Sequence, residues 1–216
     1  MKLIKNVLNN VPAYVALQKV VGADRLRYRC IAELDIQQGN SVLDVGCGPA
    51  YYFQRLPGNV RYHGFDTDAG YIEWAREKWG SERATFHHGI FDEAAAAALP
   101  SFDAVLLLGL LHHLSDDDSR SLLRLCAKKL APGGWVVSVD TCYEPGQGMV
   151  SRWMSNNDRG EYVREPAAFL ELAGDIFGKI NGDILSDVTR IPASYWSMRM
   201  NAPLNPGDPT VSTHAS

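Results

Sequence analysis

The sequence predicts a doubly wound α/β fold, with a mostly parallel sheet that ends in a C-terminal antiparallel hairpin. Short runs of β-branched and aromatic residues alternate with helical patterns through the middle of the chain, which is typical of parallel βαβ units. Residues 102–109 are apolar almost throughout, so we expect a central strand that is covered on both faces. A glycine-rich turn, residues 46–48, follows the first run, at the sheet edge where such folds bind ligands.

The elements of this fold are predicted from residue 5 onwards. Residues 5–36 form one or two helices, with Pro12 near a helix start. The core strands are predicted at residues 41–46, 60–66, 84–89, 102–109 and 134–141. Further helices are predicted at residues 49–56, 68–79, 93–99, 116–131 and 164–177. The hairpin strands are predicted at residues 181–188 and 194–201.

The chain is predicted to contain one α/β core with a segment on either side. Residues 1–40 form an N-terminal helical segment that covers the ligand site, and residues 41–201 form the core. Residues 202–216 are rich in proline, glycine and small polar residues, and are predicted to be a disordered tail.

Composition excludes several classes of function. A net charge of -4 and a pI near 5.8 argue against a nucleic-acid-binding protein. The longest apolar run, residues 104–111, is far shorter than the roughly 20 residues of a membrane-spanning helix. The N-terminus has no secretory-signal pattern, and the 4 cysteines form no CxxC pair, so neither a disulfide framework nor a zinc site is expected. We therefore expect a cytoplasmic protein without membrane attachment, and a homodimer is compatible with the sequence.

Two ligands compete for the glycine turn: a dinucleotide and S-adenosylmethionine. The dinucleotide fingerprint GxGxxG has its last glycine at the position of Tyr51, whose bulk would obstruct helix–strand packing. Asp44 lies just before Gly46, and a carboxylate about 4 Å from a phosphate is repelled by roughly 4 kcal/mol at an effective dielectric of about 20. The same carboxylate would attract the ammonium end of S-adenosylmethionine. The charge of Asp44 therefore favours the sulfonium cofactor.

Asp66 is the next candidate in this site. It ends the second strand, where an acid can accept hydrogen bonds from ribose hydroxyls. NAD sites use the same device, so Asp66 does not discriminate between the two ligands. In a purely structural role it would be a turn or N-cap residue.

Four segments together resemble the motifs of the class I S-adenosylmethionine-dependent methyltransferases. They are "VLDVGCGPA", "GFDTD", "FDAVLLLGLLHHLSD" and "LAPGGWVVSVD", and they occur in the order of that family. The resemblance implies a Rossmann-like fold and transfer of a methyl group from S-adenosylmethionine to an O or N of a small-molecule acceptor. The later segments "DRG" and "RIP" are similar to those of small bacterial members. The chain departs from the family at Ala50, the third turn glycine, and at Ile90, where an acid often contacts the adenine.

The resemblance also implies which residues contact the cofactor. The backbone of the glycine turn is expected against the methionine part, with Cys47 as a packing residue and not a nucleophile. The adenine is expected against the backbone of Ile90 and Phe91, with Asp92 as an alternative contact, and Tyr14 is expected to act as a lid. The complete predicted set is Asp44, Gly46, Cys47, Gly48, Asp66, Thr67, Tyr71, Gly89, Ile90, Phe91, Leu108, Gly109 and Tyr14.

Two histidines follow the fourth strand, close to where the methyl group should point. His112 or His113 is a candidate base for the acceptor's proton, with His113 favoured, because histidine titrates near neutral pH. In a structural role they would cap the turn or bond to backbone. No metal site is expected, because no cysteine or carboxylate cluster accompanies these histidines at ligand spacing.

The acceptor site is predicted to follow the fifth strand. Asp140 and Tyr143 are candidate substrate contacts, and so is Arg152. Three arginines, Arg152, Arg159 and Arg164, either hold an anionic acceptor or pair with the acids Asp158, Glu161 and Glu165.

Two other functions stay open at this point. A cofactor-binding protein without methyltransferase activity, regulatory or scaffolding, is compatible with Ala50 and Ile90. A nicotinamide-dependent oxidoreductase is disfavoured by Tyr51 and Asp44.

Overall fold

A single mixed sheet forms the centre of the molecule in the computed structural model, which describes residues 11–186, 188–203 and 214–215. Its strands are β1 (Ser41–Val45), β2 (Arg61–Asp66), β3 (Ala84–His88), β4 (Phe102–Leu108), β5 (Leu130–Thr141), β6 (Phe177–Leu185), β7 (Tyr195–Pro203) and β8 (His214–Ala215). The order across the sheet is β3-β2-β1-β4-β5-β7-β6-β8. Strands β1 to β5 pair in parallel, whereas β7 is antiparallel to both β5 and β6. The predicted fold class is therefore confirmed.

Helices cover both faces of this sheet. They are α1 (Val11–Val21), α2 (Ala23–Ala32), α3 (Ala69–Trp79), α4 (Glu93–Ala97), α5 (Asp116–Lys128), α6 (Met149–Asn156) and α7 (Pro166–Ala173). The first three pack with the aromatic residues after β1 on one face, and α4, α5 and α7 pack on the other. Within the described residues, none of these helices combines the length and apolar character that crossing a bilayer requires.

The predicted helix over residues 49–56 is wrong. The chain there makes turns and a single 3₁₀ helix, Phe53–Arg55. Ala50 has a left-handed backbone, with φ at 47°. Three successive aromatic residues then turn into the core, Tyr51, Tyr52 and Phe53, each no more than 3% exposed. An α-helix on the surface buries one stripe only, so three adjacent buried residues do not fit it.

The chain after β5 also differs from the prediction, because it contains the unpredicted helix α6. Its buried residues are Ser151 and Ser155, while Met149 is 91% and Trp153 is 61% exposed. The amide of Gln147 donates to both buried hydroxyls, at 2.9 and 3.0 Å. Hydrogen bonds therefore hold this helix against the core, and its apolar residues face outward.

The two terminal predictions fall partly on residues that the structure does not describe, namely 1–10, 187, 204–213 and 216. Helices α1 and α2 fall within the predicted N-terminal segment. Of the predicted tail, residues 202–203 extend β7 and residues 214–215 pair with β6. The rest of the tail lies outside the described residues.

The position of the site follows from the strand order. The order reverses between β1 and β4, so the loops that leave their carboxyl ends turn to opposite faces of the sheet. In doubly wound sheets ligands bind at this switch point. The loops after β1, β2, β3, β4 and β5 are therefore the ones that can build a site.

Candidate functional site

The loop after β1 is a cradle of left-handed backbone. Gly46, Gly48 and Ala50 have φ values of 76°, 53° and 47°. The amides of Gly46 and Cys47 both donate to the carbonyl of Phe65 on β2, at 2.8 and 3.0 Å. Two of the three left-handed positions are glycines, which have no side chain. The backbone atoms of this loop therefore face the crevice without side chains over them. The predicted contact of this turn with a ligand stays a prediction.

Asp66 is oriented by this cradle. Its Oδ2 accepts a hydrogen bond from the Gly48 amide at 2.7 Å, and its Oδ1 accepts one from the Asp68 amide at 2.8 Å. Burial raises the pKa of Asp66, against the lowering effect of these amides. Each carboxylate oxygen has a second lone pair. The fixed, half-buried carboxylate is therefore suited to accept bonds from a diol.

Asp44 differs from the prediction in its state of ionisation. Its side chain is fully enclosed, and Tyr62 donates its hydroxyl to Oδ2 at 2.5 Å. Burial raises the pKa of Asp44 to about 7, although the hydroxyls of Tyr62 and Tyr52 lower it. This carboxyl lies beneath the cradle and is only partly ionised at neutral pH. The predicted attraction between a fully charged Asp44 and the ligand is therefore corrected.

A pair of tyrosines lies above the cradle. The rings of Tyr14 on α1 and Tyr71 on α3 are 5.3 Å apart. A Cβ on Gly48 would lie 4.0 Å from Cδ2 of Tyr71. The N-terminal helix thus reaches the mouth of the crevice, where the sequence placed a lid.

Arg27 is a site residue that the sequence analysis did not single out. Its guanidinium donates to the hydroxyl of Tyr51 and to the side chain of Gln18, both at 2.9 Å. A Cβ on Gly109, at the end of β4, would lie 3.7 Å from Nη2 of Arg27. Arg27 lies four residues before the buried Ile31 on α2, so both residues are on the same face of the helix. A charged residue on an otherwise apolar helix face is the sequence signal that could have identified Arg27 as a site residue.

The end of β3 is open on its ligand side. Gly89 has φ at 140°, and a Cβ there would meet nothing within 4 Å. Ile90 is 73% exposed, whereas Phe91 is buried. Asp92 caps α4 through a bond from the Ala95 amide at 2.8 Å. The described geometry leaves Ile90, and not Asp92, as an uncommitted side chain for an adenine ring.

The ends of β2 and β4 complete the crevice. Thr67 is exposed, and its carbonyl lies 3.2 Å from Nε2 of His88. Leu108 is buried at the end of β4, and Gly109 follows with φ at 84°. The next side chain, Leu110, covers the cradle, since a Cβ on Gly46 would lie 3.1 Å from its Cδ1. Leu110 is a second residue that the sequence analysis did not single out.

His112 is held between two carboxylates. Its Nδ1 lies 2.8 Å from Asp140 Oδ1, and its Nε2 lies 3.2 Å from Asp158 Oδ1. Burial alone would lower the pKa of His112, but these hydrogen bonds outweigh burial and raise the pKa to about 9. The ring is therefore a cation whose two N–H groups are both used. It has no free nitrogen to accept a proton, so the prediction of His112 as a base is corrected.

Asp140 is corrected for the same reason. Only 1% of it is exposed, and its Oδ1 accepts bonds from both the ring and the backbone amide of His112. It is enclosed behind that ring. A carboxylate in this position orients His112 and does not reach a substrate.

His113 is in a different state from its neighbour. It is exposed, and its ring centre lies 4.2 Å from that of His112. Desolvation and the positive charge of His112 lower the pKa of His113. At neutral pH His113 is therefore an uncharged imidazole that can accept a proton.

Tyr143 and Arg152 lie together beyond β5. The Tyr143 hydroxyl donates to Asn156 Oδ1 at 3.1 Å, and the Arg152 guanidinium lies 5.4 Å from the centre of the Tyr143 ring. Both contacts tie α6 to the end of β5. The predicted substrate contacts of these two residues stay predictions.

The remaining reactive side chains have structural surroundings. Burial raises the pKa of the Cys47 thiol well above its usual value, and its Sγ donates to the Gly48 carbonyl. His63 and His87 contact each other through ring nitrogens 3.2 Å apart. In the part of the chain that the structure describes, no group of three or more histidine, cysteine or acidic side chains is arranged to hold a metal ion.

Comparison with known proteins agrees with this geometry. Residues 42–134 match a family described as a methyltransferase domain. The chain is 32% identical over 124 residues to methyltransferase GfsG of Streptomyces halstedii, covering 54% of this chain and 43% of that protein. It is 32% identical over 114 residues to the ubiquinone biosynthesis O-methyltransferase of Thiobacillus denitrificans, covering 51% of this chain and 48% of that protein. The chain thus spans less than half the length of these two curated relatives.

Solved structures show the same fold. Human N-acetylserotonin methyltransferase, crystallised with S-adenosylmethionine, superposes with a TM-score of 0.64 at 19% identity. The match covers 90% of this chain and 55% of the human protein. Residues 42–134 are therefore similar to methyltransferase domains, and the chain shares the fold of S-adenosylmethionine-dependent methyltransferases.

Proposed function

We propose that this protein moves a methyl group from S-adenosylmethionine to an oxygen or nitrogen of a small-molecule acceptor. The observation that carries the proposal is the position of His113. This uncharged imidazole follows β4, at the switch point that also holds the glycine cradle. A proton acceptor and a cofactor cradle on adjoining strand ends suit a transfer between two bound molecules.

The residues of the cradle fit the cofactor. Asp66 would accept the ribose hydroxyls, Ile90 would cover the adenine, and the backbone of Gly46 to Gly48 would meet the methionine part. Arg27, between Tyr51 and Gly109, is placed to bind the cofactor's carboxylate. When bound, the cofactor supplies a methyl group on a positively charged sulfur, already activated for direct displacement.

The same loop disfavours a dinucleotide. Pyrophosphate binds at an α-helix N-terminus, where free amides and the helix dipole favour anions. The chain after the cradle forms only turns and a 3₁₀ helix, and Tyr51 is turned into the core with 2% exposure. The shape of this loop, and not the charge of Asp44, therefore disfavours a dinucleotide.

His113 would take the proton that an acceptor hydroxyl or amine loses as its oxygen or nitrogen bonds to the methyl carbon. His112 keeps its own proton, and its charge holds His113 neutral. Tyr14 and Leu110 would exclude water from the crevice. Because orientation can supply roughly 7–11 kcal/mol of a barrier, holding the two molecules in line is the larger part of the work. A cytoplasmic setting and a homodimer stay predictions.

The test begins with isothermal titration of S-adenosylhomocysteine, followed by turnover of methyl-labelled cofactor against a panel of phenols and amines. We expect His113→Gln to lower kcat by about 100-fold or more without changing affinity for S-adenosylhomocysteine. In the wild type, kcat should rise with pH with a midpoint below 6.5, because the pKa of His113 is lowered from 6.5.

Three other outcomes would change the assignment. Titration of S-adenosylhomocysteine without turnover of any acceptor would favour a binding or regulatory protein. Binding of NAD in its place would favour an oxidoreductase. An unchanged kcat in the His113→Gln variant would remove the proposed base.

A further inference from the structure

The three arginines beyond β5 have different surroundings, which separates their roles. Arg164 is buried and bonds to Asp116 Oδ1 at 2.8 and 2.9 Å and to the carbonyls of Leu111 and Leu114. Arg152 lies against Tyr143. Arg159 is exposed and forms no ion pair with any residue in the described part of the chain. Arg152 has no ion pair either among the described residues, but its guanidinium lies over the Tyr143 ring, so Arg159 is the arginine for which neither contact is found there.

The backbone on both sides of Arg159 is fixed to the turn that carries the histidines. Asp158 accepts bonds from His112 and from the Thr141 hydroxyl, the latter at 3.0 Å. Gly160 packs so closely that a Cβ there would come within 2.2 Å of the His112 ring. A rigid backbone therefore holds Arg159 at one place beside the crevice.

The charge of Arg159 acts on two residues of the crevice, in agreement with the position of its backbone beside His112. It lowers the pKa of Tyr71, against a larger raising effect of burial, and it contributes to the lowered pKa of His113. Tyr71 lies above the cradle, and His113 follows β4. The guanidinium is therefore near both the cofactor cover and the proposed base.

We infer that Arg159 binds an oxyanion of the methyl acceptor, so that the acceptor is a small molecule with a carboxylate or phosphate. A guanidinium pairs with either group through two parallel hydrogen bonds, which would orient the acceptor as well as hold it. This inference rests on the proposed function and names the class of acceptor that the same site takes.

A second arginine separates this role from cofactor binding. The cofactor has one carboxylate, and Arg27 already lies between Tyr51 and Gly109 at the end of β4. Arg159 belongs to a different segment, the one that follows α6 and packs on His112. The acceptor is the molecule left for it to bind.

The experiment uses the full chain saturated with S-adenosylhomocysteine and measures binding of matched ligands by isothermal titration. The pairs are 4-hydroxyphenylacetate with 4-hydroxyphenylacetamide, and phenyl phosphate with phenol. The variants are Arg159→Gln and Arg159→Lys. The control is Arg61→Gln, since Arg61 is an exposed arginine at the amino end of β2, away from the site.

We expect the wild type to bind at least one anion ten times more tightly than its neutral partner. Arg159→Gln should abolish that preference, Arg159→Lys should retain part of it, and Arg61→Gln should leave it intact. The pair that shows the preference distinguishes a carboxylate from a phosphate acceptor.

The inference is overturned if the wild type does not prefer either anion, or if Arg159→Gln keeps the preference. It is also overturned if Arg159→Gln weakens S-adenosylhomocysteine tenfold, because Arg159 would then serve the cofactor. Failure of S-adenosylhomocysteine to bind the wild type would instead contradict the proposed function itself.

Discussion

We propose that the edge of the site after β1 and β2 binds the cofactor (the cofactor edge) and that the edge after β4 and β5 binds the acceptor (the acceptor edge). The two edges shift the pKa of an aspartate in opposite directions. Asp44 at the first edge has its pKa raised to about 7, because it is buried with only tyrosine hydroxyls as partners. Asp158 at the second edge is also partly buried. The hydrogen bonds and positive charge of His112 outweigh this burial and lower the pKa of Asp158 to about 2. A counter-charge, and not burial alone, decides whether a carboxylate stays ionised.

This difference has a consequence for the stability of the protein and its dependence on pH. At the cofactor edge, the two carboxylates accept hydrogen bonds from uncharged donors, a tyrosine hydroxyl for Asp44 and backbone amides for Asp66. Ion pairs that join β4, β5 and the segment after α6 build the acceptor edge. Changes at the acceptor edge should therefore destabilise the protein more, and with a stronger dependence on pH.

The largest effect is expected for His112→Ala. This change leaves Asp140 and Asp158 without their counter-charge, and we expect the free energy of unfolding to fall by about 3–5 kcal/mol at pH 6. The contribution of His112 is fully present below its ordinary pKa of 6.5 and is lost as pH rises through about 9. Urea denaturation at several pH values measures the difference between variant and wild type.

The exposed His88 supplies the control for this change. His88→Ala should alter unfolding by no more than about 0.5 kcal/mol. A loss in His112→Ala that stays constant up to pH 10 would show that packing, and not the charge of His112, stabilises this edge.

The next effect is expected for Asp44→Asn, and it has the opposite sign. The raised pKa of Asp44 means that wild-type stability falls as pH rises from 3.8 to about 7. The variant lacks this loss, so its free energy of unfolding at pH 8 should exceed that of the wild type by on the order of 2 kcal/mol. The gain should vanish at pH 4. Asp117→Asn, on the surface of α5, is the control; a variant less stable than the wild type at pH 8 would contradict the partly neutral Asp44.

A smaller effect, on the affinity for S-adenosylhomocysteine, is expected for Asp66→Ala at the cofactor edge. Asp66→Ala should weaken S-adenosylhomocysteine at least tenfold, about 1.4 kcal/mol, because the ribose loses its acceptor. Asp68 is the matched control, since it caps α3 by accepting from the Tyr71 amide at 3.0 Å. Asp68→Ala should cost stability and leave affinity within about twofold. Equal titration curves for the wild type and Asp66→Ala would refute the ribose contact.

The two edges also differ in how much of each could be predicted from the sequence. The cradle, Asp66 and the strand ends are set by local patterns, and the structure places them at one edge as the fold requires. The long-range partners could not be predicted this way. Arg164 bonds to Asp116, far earlier in the chain, although acids stand beside it in sequence.

Two further errors have physical causes in the way residues pack into the core. The prediction of a helix at 49–56 is wrong because three consecutive aromatic residues are buried there. A surface helix buries residues three or four positions apart, and not three in succession. Helix α6 was missed because it buries serines and exposes Met149 and Trp153, so its apolar pattern does not mark the buried face. In both cases tertiary contacts outweigh the local pattern.

The smallest effect is expected for Ala50→Gly. Ala50 holds a left-handed backbone, φ 47°, which costs a residue with a Cβ about 1–2 kcal/mol. Glycine removes that strain but adds freedom to the unfolded chain, worth about 0.5–1 kcal/mol, so the net gain in stability should be about 0.5–1 kcal/mol. Ala75 is equally buried but lies in the helix α3, so Ala75→Gly should instead lose about 1 kcal/mol or more. Urea denaturation measures the change in the free energy of unfolding for both variants. Changes of opposite sign would show that the third position of the cradle requires a left-handed backbone. Two losses of similar size would show that the packing of the Ala50 methyl group contributes more to stability.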